Sequence, residues 1–344
     1  MLQQKEIAAI LELLGAPRRV VLTTHTNPDG DAIGSSLAMW HYLKAKGHHV
    51  TAVTPNHFPG FLSWLPGSDE ILVYKKEAKV VQKALDEADL VFCLDYNSLK
   101  RTGSLYDVLE RCTAPRILID HHIEPERESF NFHFSTVNTS STGELVYDFI
   151  QLMGDGKLLN KPMAECIYAG IVTDTGSFSF AANQEKTYIV TAALIKLGVD
   201  AEKIHRLIYD TFSENRLRLL GHAISKRLVV WDEYHTALIY LTREDLNTYQ
   251  YQVGDIEGVV NYPLMMEKVN LSVLLTERDN QIRISFRSKG EFSVNELARK
   301  HFNGGGHRNA AGGKMFITIQ ETIDKIQLVL KDYIDELDYK LEYQ

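Results

Sequence analysis

Three short apolar segments in the first half of the chain each end in ionisable side chains. They are Arg19–Thr24 (RVVLTT) before His25, Leu90–Leu94 (LVFCL) before Asp95, and Arg116–Ile119 (RILI) before Asp120. Continuous apolar runs of this length are typical of strands that are buried on both faces of a parallel sheet. The carboxyl ends of such strands share one edge of the sheet, where ligands bind, so we expect these side chains to meet in one cleft.

Helical patterns separate these strands and predict an α/β domain. Ile33, Leu37, Trp40 and Leu43 have helical spacing, and Gly47 is a natural helix stop. The other predicted elements of this half are a strand at Val50–Thr54 and helices at Thr142–Met153 and Pro162–Ile171. Apolar strands separated by helices predict a parallel sheet that helices cover on both faces.

The remainder of the chain has a different pattern. Residues 184–226 are helical in pattern and predict a connector. After it we expect strands at His235–Leu241, Val269–Thr276 and Gln281–Ser288, a helix at Ser293–His301, a glycine loop at Asn303–His307 and a closing helix at Glu321–Leu337. The predicted parts are a catalytic α/β domain at 1–185, a helical linker at 186–227 and a smaller α+β domain at 228–344.

Composition limits the class of protein. A chain of 344 residues with 44% hydrophobic and 24% charged residues is typical of two globular domains, which excludes disorder as its main state. The formal net charge of −8 argues against non-specific coating of long nucleic acid. The few, widely spaced cysteines form no disulfide framework and no Cys-rich zinc site. We therefore expect a cytoplasmic protein with no signal peptide and no membrane segment.

The crowding of acids that this fold predicts requires a counter-charge. Asp174, in the segment IVTDTGSF, joins the acids at the strand ends. Like charges at close range would raise the pKa of carboxyl groups until some became neutral, and divalent cations relieve that repulsion. Oxygen and imidazole ligands without thiolate favour Mn²⁺ or Mg²⁺ over structural zinc. This many ligands predict two ions that share a bridging carboxylate, about 3.5–4 Å apart, as in phosphoester hydrolysis.

Each motif alone also has an ordinary structural explanation. Asp31 could cap the following helix, Asp95 could cap a turn at residues 97–98, residues 120–122 could form a solvated loop, and Asp174 could be a loop acid. Four such motifs together, three of them at strand ends, favour the metal site.

The four motifs also resemble those of a known family. HTNPDGD, LDYN, IDHH and VTDTG resemble, in order and type, the motifs of DHH phosphoesterases, and GGGHRNAAGG resembles the signature of the accompanying DHHA1 domain. The resemblance extends from about Arg18 to the C-terminal helix and is strongest to the two-domain nano-RNases. It implies hydrolysis of short single-stranded RNA or dinucleotides, removal of the 3′-phosphate of pAp, and a homodimer.

The same resemblance implies roles for individual residues. The implied ligands are His25 and Asp29 for one metal, Asp31, His121 and Asp174 for the other, and Asp95 for both. Mn²⁺ is favoured as the metal, with Mg²⁺ as the alternative. The implied catalytic residues are Asp120, which would orient a histidine, and His122, which would contact the scissile phosphate.

A second set of residues is a candidate for substrate binding. Its members are Arg287, Ser288, Gly304, Gly305, Gly306, His307, Arg308 and Arg101. A glycine segment lets backbone N–H groups approach an anion, and arginine binds phosphate bidentately. The structural alternatives are a tight turn for the glycines, a surface ion pair for Arg287 and an exposed loop position for Arg101.

The predicted function is therefore metal-dependent hydrolysis of short oligoribonucleotides and of pAp. We expect a short cleft between the metals and the glycine loop that holds one terminal phosphodiester. The alternatives that the sequence leaves open are a cyclic or linear dinucleotide phosphodiesterase, an inorganic pyrophosphatase and a non-catalytic nucleotide sensor.

Overall fold

The computed structural model describes residues 2–179, 182–278 and 280–338. Contacts divide the chain into two compact units, Met1–Thr211 and Phe212–Gln344. The division falls inside the segment predicted as a linker, and the three-part boundaries given above remain a prediction.

The first unit is built on a parallel sheet. Its strands are β1 (Arg19–Thr23), β2 (His49–Thr54), β3 (Leu72–Val73), β4 (Leu90–Leu94), β5 (Arg116–Asp120) and β6 (Phe132–Ser135). Its helices are α1 (Gln4–Leu13), α2 (Gly30–Ala45), α3 (Tyr74–Asp86), α4 (Tyr106–Arg111), α5 (Thr142–Leu152), α6 (Lys161–Asp174), α7 (Glu185–Lys196) and α8 (Ala201–Tyr209). The strands pair in parallel in the order β3-β2-β1-β4-β5-β6, which confirms the predicted α/β class.

Alternating residues of the central strands pack on opposite faces of this sheet. In β1, Val20 and Leu22 belong to the core that includes residues of α2, α5 and α6, whereas Val21 belongs to the core that includes residues of α3 and α4. In β4, Phe92 and Cys93 divide in the same way. Because helices cover both faces, both sets of side chains are apolar, which explains the continuous hydrophobic runs in the sequence.

The strand order places a crevice between β1 and β4. From β1 the chain continues outward to β2 and β3, and it then returns to form β4, β5 and β6 on the other side of β1. Crossover connections on opposite sides of such a point leave a gap at the carboxyl ends of the two strands, where α/β proteins bind ligands. His25 and Asp95 follow the two strands that flank this gap.

Helices α2 and α6 approach each other closely at glycines. A Cβ atom on Gly34 would lie 2.5 Å from the carbonyl oxygen of Cys166. A Cβ atom on Gly170 would lie 2.7 Å from Oδ1 of Asp31. Both distances are shorter than a van der Waals contact, so the close approach of these helices requires glycine at both positions.

The second unit contains a mixed sheet. Its strands are β7 (Leu228–Trp231), β8 (Thr236–Leu241), β9 (Leu271–Arg278), β10 (Gln281–Ser288), β11 (Gly305–Gly306) and β12 (Ala310–Met315). Its helices are α9 (Glu214–Lys226), α10 (Arg243–Thr248), α11 (Val294–His301), α12 (Ile319–Leu330) and α13 (Ile334–Leu337). In the order β11-β12-β10-β9-β8-β7, β8 and β9 are parallel and the other neighbours are antiparallel. The predicted α+β class of this half is confirmed.

Two expectations for the second unit differ from the structure. The segment predicted as a glycine loop contains β11, which pairs with β12 through Gly305 and Gly312. The predicted closing helix is interrupted by a 3-10 turn at Lys331–Tyr333 between α12 and α13. After this turn Leu337 is buried, and its carbonyl oxygen accepts a hydrogen bond of 2.8 Å from Nδ2 of Asn270. The helical pattern of residues 321–337 does not by itself indicate this contact with Asn270.

Two of the expectations above concern disulfide bonds and membrane-spanning helices. Cys93, Cys112 and Cys166 are buried free thiols. Among the described residues, every helix is too short or too polar to cross a bilayer.

Substitution by alanine is expected to have opposite effects on stability at a glycine in the contact between α2 and α6 and at an open glycine in α9. Gly34→Ala is expected to reduce the free energy of unfolding by about 1–3 kcal/mol, because the new methyl group meets backbone. Gly221→Ala is expected to stabilise α9 by about 0.5–1 kcal/mol, because alanine favours helix and nothing lies near its Cβ position. Urea unfolding measures both values. A neutral Gly34→Ala variant would contradict the close approach.

Candidate functional site

Elements from several parts of the first unit bring the predicted acids and histidines together. His25 follows β1, Asp95 follows β4, Asp120 ends β5 before His121 and His122, Asp29 and Asp31 lie at the start of α2, and Asp174 ends α6. Asp174 was expected just after a helix that ended near Ile171, and it is instead the last residue of that helix. The predicted convergence at the carboxyl edge of the sheet is therefore present.

Asp95 is the centre of this cluster. Its Oδ2 lies 3.4 Å from Nε2 of His25, and its Oδ1 lies 3.5 Å from Nε2 of His121. Its backbone has a φ of 65°, in the left-handed region that few residues other than glycine adopt. The side chain is almost fully buried, and its two oxygens face different histidines.

Further carboxylates complete a group of ligand atoms around each histidine. Oδ2 of Asp29 lies 3.8 Å from Nε2 of His25. On the other side, Nε2 of His121 lies 3.8 Å from Oδ2 of Asp31 and 3.6 Å from Oδ2 of Asp174. Within the first unit, His25 with Asp29 and Asp95, and Asp31 with Asp95 and His121, each present ligand atoms within 4.8 Å of one another. All the donors are carboxylate oxygens and imidazole nitrogens, which suit a divalent cation such as Mn²⁺.

Asp120 and His122 form a buried pair beside Asp95. Nδ1 of His122 lies 2.7 Å from Oδ1 of Asp120, and the backbone N–H of His122 donates to Oδ2 of Asp120 at 3.2 Å. Burial raises the pKa of Asp120 to about 7. The two bonds fix the orientation of the His122 ring, as carboxylates commonly do for functional histidines.

Burial and close contacts shift the pKa values of several groups in this cluster. Burial alone would lower the pKa of His25, but hydrogen bonds with Asp29 and Asp95 raise it to about 10. Burial, together with repulsion from Asp95 and Asp174, raises the pKa of Asp31 well above its ordinary value. A site that draws protons in this way has an excess of negative charge, which a bound cation would neutralise.

The structure differs from the alternative in which Asp31 caps the helix that follows β1. Asp29, rather than Asp31, caps α2, because its Oδ1 accepts a hydrogen bond of 3.1 Å from the backbone N–H of Ala32. Asp31 instead accepts hydrogen bonds from the backbone N–H groups of Thr142 and Gly143 at the start of α5.

Sequence reasoning missed Thr142 and Gly143 as parts of the site. The segment from Ser141 to Glu144 has the S-x-x-E pattern of a helix start before an apolar run. That pattern indicates where α5 begins. It contains no information that the helix start faces Asp31 and Asp95.

Arg101 lies in a 3-10 segment, Leu99–Leu105, that contacts the residues after β1. Its backbone carbonyl oxygen accepts a hydrogen bond of 2.8 Å from the N–H of Thr26. Burial raises the pKa of Asp29, but His25 and the backbone N–H of Ala32 lower it below its ordinary value, and the positive charge of Arg101 adds a smaller lowering effect. The charge of Arg101 therefore acts on Asp29, although the two residues are far apart in the sequence.

The candidate substrate residues of the second unit lie around β10, β11 and β12. Arg287 and Ser288 end β10, and Gly304–Gly306 precede His307 and Arg308. A Cβ atom on Gly304 would lie 1.9 Å from the carbonyl oxygen of Gly312, so this backbone approach requires glycine.

Several of these residues already have protein partners, among them Ser288 and Arg308. The hydroxyl of Ser288 donates to the carbonyl oxygen of Phe292 at 2.7 Å. Nε of Arg308 donates to the carbonyl oxygen of Glu291 at 3.1 Å, and its guanidinium pairs with the Glu291 carboxylate. Both contacts are with residues of the connection between β10 and α11.

Comparisons with known proteins agree with this two-part arrangement. Residues 19–171 match the DHH family, N-terminal domain, and residues 238–336 match the DHHA1 domain. The chain is 30% identical over 315 residues to the bifunctional oligoribonuclease and PAP phosphatase NrnA of Thermus thermophilus, covering 90% of this chain and 87% of that protein. It is 28% identical over 299 residues to the Bacillus subtilis protein of the same name, covering 86% and 89%.

A solved structure is similar over almost the whole length. The crystal structure of an exopolyphosphatase-related protein from Bacteroides fragilis matches with a TM-score of 0.92 and 40% sequence identity, covering 98% of each chain. With both domains matched in order and the acid–histidine cluster assembled, this chain belongs to the DHH family of phosphoesterases, with a DHHA1 domain after the DHH domain.

Proposed function

We propose that this protein hydrolyses short oligoribonucleotides and removes the 3′-phosphate of pAp in a metal-dependent reaction. The names of the two NrnA relatives support the substrate class, because the alignments cover most of both proteins. The observation that carries the chemistry is the position of Asp95, whose two oxygens lie 3.4 Å from His25 and 3.5 Å from His121. This arrangement suits a carboxylate that bridges two cations.

The proposed cofactor is a pair of divalent cations, with Mn²⁺ favoured over Mg²⁺. The proposed ligands are His25 and Asp29 for one cation, Asp31, His121 and Asp174 for the other, and Asp95 for both. Such a pair, when bound, lowers the pKa of a water molecule and stabilises negative charge on phosphoryl oxygens.

Asp120 and His122 are the proposed catalytic pair. Oδ1 of Asp120 lies 2.7 Å from Nδ1 of His122, and this contact sets the direction in which the other ring nitrogen, Nε2, faces. We propose that this nitrogen binds a phosphoryl oxygen and delivers a proton to the leaving oxygen.

The proposed substrate contacts divide into two groups. Arg287, His307 and Arg101 supply cationic or donor side chains, and Gly304, Gly305 and Gly306 let the backbone approach an anion closely. The N–H groups of Gly304 and Gly306 also donate to the carbonyl oxygen of Ala298 at 3.1 Å and to Oδ1 of Asn295 at 2.8 Å. Ser288 and Arg308 are proposed as further substrate contacts, beside their hydrogen bonds to Phe292 and Glu291.

A panel of substrates with added Mn²⁺ tests the proposal. The panel contains pAp, short RNAs of graded length, linear and cyclic dinucleotides, and pyrophosphate. We expect turnover of pAp and of the shortest RNAs, with rates that fall as the RNA lengthens. Fastest turnover of a cyclic dinucleotide or of pyrophosphate would identify one of the alternative activities, and tight binding without turnover would identify a sensor.

Mn²⁺ is expected to stabilise the folded protein, because a ligand that binds only the native state adds about 2.7 kcal/mol at about 100 times its Kd. Asp95→Asn is expected to lose most of this increase in Tm, since both proposed cations lose a ligand. Asp200→Asn is the matched control, because Asp200 is an exposed cap of α8 that asparagine can replace. Thermal unfolding with Mn²⁺ and with EDTA measures the difference. An equal Mn²⁺ shift in Asp95→Asn would argue against the bridging role.

Arg287→Ala is expected to raise KM for short RNA about 10-fold or more with little change in kcat, since the guanidinium is proposed to bind substrate and not the reacting atoms. Arg283→Ala is the control, because Arg283 alternates with the buried residues of β10 in the same way as Arg287. Steady-state kinetics distinguish the two variants. A normal KM with a much reduced kcat would contradict the assignment of Arg287.

A further inference from the structure

We propose that Thr142 is a positioning residue that orients two of the candidate metal ligands, Asp95 and Asp31, at the start of α5. The inference rests on the proposed metal site and adds to it a residue outside the ligand set.

Thr142 contacts carboxylates that come from different parts of the fold. Its hydroxyl donates a hydrogen bond of 2.9 Å to Oδ1 of Asp95, which lies 47 residues earlier in the sequence. Its backbone N–H donates a hydrogen bond of 2.6 Å to Oδ2 of Asp31, which lies 111 residues earlier. Thr142 is fully buried, and the two acids are nearly so, which protects both bonds from competition with water.

The hydroxyl contact bears directly on the bridging geometry of Asp95. A carboxylate can rotate about its last bond, so a backbone position alone does not determine which oxygen faces His25 and which faces His121. The bond to Oδ1 restrains this rotation and leaves Oδ2 facing His25 at 3.4 Å. The left-handed backbone of Asp95 makes such restraint more important, because the surroundings must hold that conformation.

The backbone contacts orient Asp31 in a similar way. The N–H of Gly143 donates to Oδ1 of Asp31 at 2.8 Å, so each oxygen of Asp31 has its own donor from α5. The positive end of the helix dipole also favours a negative charge at this position. A Cβ atom on Gly143 would lie 3.2 Å from Oδ1 of Asp31, so a larger residue would crowd the carboxylate.

A buried network fixes the start of α5 itself. Oε2 of Glu144 accepts hydrogen bonds from the hydroxyl of Ser140 at 2.6 Å and from the hydroxyl of Thr187 at 2.8 Å. The hydroxyl of Ser141 accepts a hydrogen bond of 3.0 Å from the N–H of Glu144. Thr142 and Gly143 lie between Ser141 and Glu144, and they carry the described contacts from this helix start to Asp95 and Asp31.

Thr142→Val separates the positioning role from an ordinary role in helix packing. Valine keeps the shape of the side chain and the backbone N–H to Asp31, and it removes only the hydroxyl to Asp95. Loss of a residue that orients a metal ligand typically weakens metal binding about 10–100-fold. We expect a rise of that size in the Kd for Mn²⁺ in calorimetric titrations of the metal-free full-length protein.

Three further variants make the test specific. Thr142→Ser is expected to restore the Kd for Mn²⁺, because serine retains the hydroxyl. Thr142→Ala also removes the hydroxyl, so it is expected to weaken Mn²⁺ binding by the same factor, and it replaces the valine variant as the test if valine prevents folding. Thr322→Val is the matched control, because Thr322 is also fully buried and its hydroxyl bonds only to the carbonyl oxygen of Thr318 among the contacts described. We expect this control to bind Mn²⁺ as the wild type does.

The outcomes also distinguish this inference from the proposed function. Wild-type Mn²⁺ affinity in both Thr142→Val and Thr142→Ala would overturn the positioning role, and so would a serine variant as weak as the valine variant. In either case a wild-type protein that binds Mn²⁺ and cleaves short RNA would leave the proposed function standing. A wild-type protein that binds no Mn²⁺ would instead contradict the proposed function itself.

Discussion

Repulsion among buried carboxylates is the constraint on which the first unit depends. Asp31, Asp95 and Asp120 are all nearly inaccessible to water, and they approach one another at the edge of the parallel sheet. Each has a compensating partner: His25 and His121 face Asp95, His122 faces Asp120, and the start of α5 faces Asp31. Partners of this kind reduce the cost of burying the charges, and a cation pair would complete the compensation.

The fold supplies these partners through the ends of its elements. The reversal of strand order between β1 and β4 opens the crevice, and the glycine contact between α2 and α6 lets Asp31 approach α6, which carries Asp174 at its end. Short side chains extending from strand and helix ends are held by the scaffold more rigidly than side chains on long loops. The arrangement is therefore suited to holding ligand atoms at fixed separations.

Much of this site could be predicted from the sequence, because the evidence is local. The runs before His25, Asp95 and Asp120 are apolar on both faces, and parallel strands must bring their ends to one edge. Strands β12 and β6 are not predicted by the sequence, because each forms through a distant partner. β12 contains two glycines and a lysine and becomes a strand by pairing with β10, and β6 is a short edge strand that pairs with β5. The bond from Thr142 to Asp95 is of the same kind, since nothing near Thr142 in the sequence indicates which acid it contacts. The metal ligands and substrate residues stay predictions until they are tested.

The central claim is that the cluster around Asp95 holds two cations that share its carboxylate. Anomalous diffraction from crystals of the protein grown with Mn²⁺ tests this claim most directly, because it locates each ion without reference to activity. We expect two peaks about 3.5–4 Å apart, as in two-metal phosphoesterases, with one oxygen of Asp95 directed at each. A single peak that Asp95 does not contact, or two peaks outside the cluster, would contradict it.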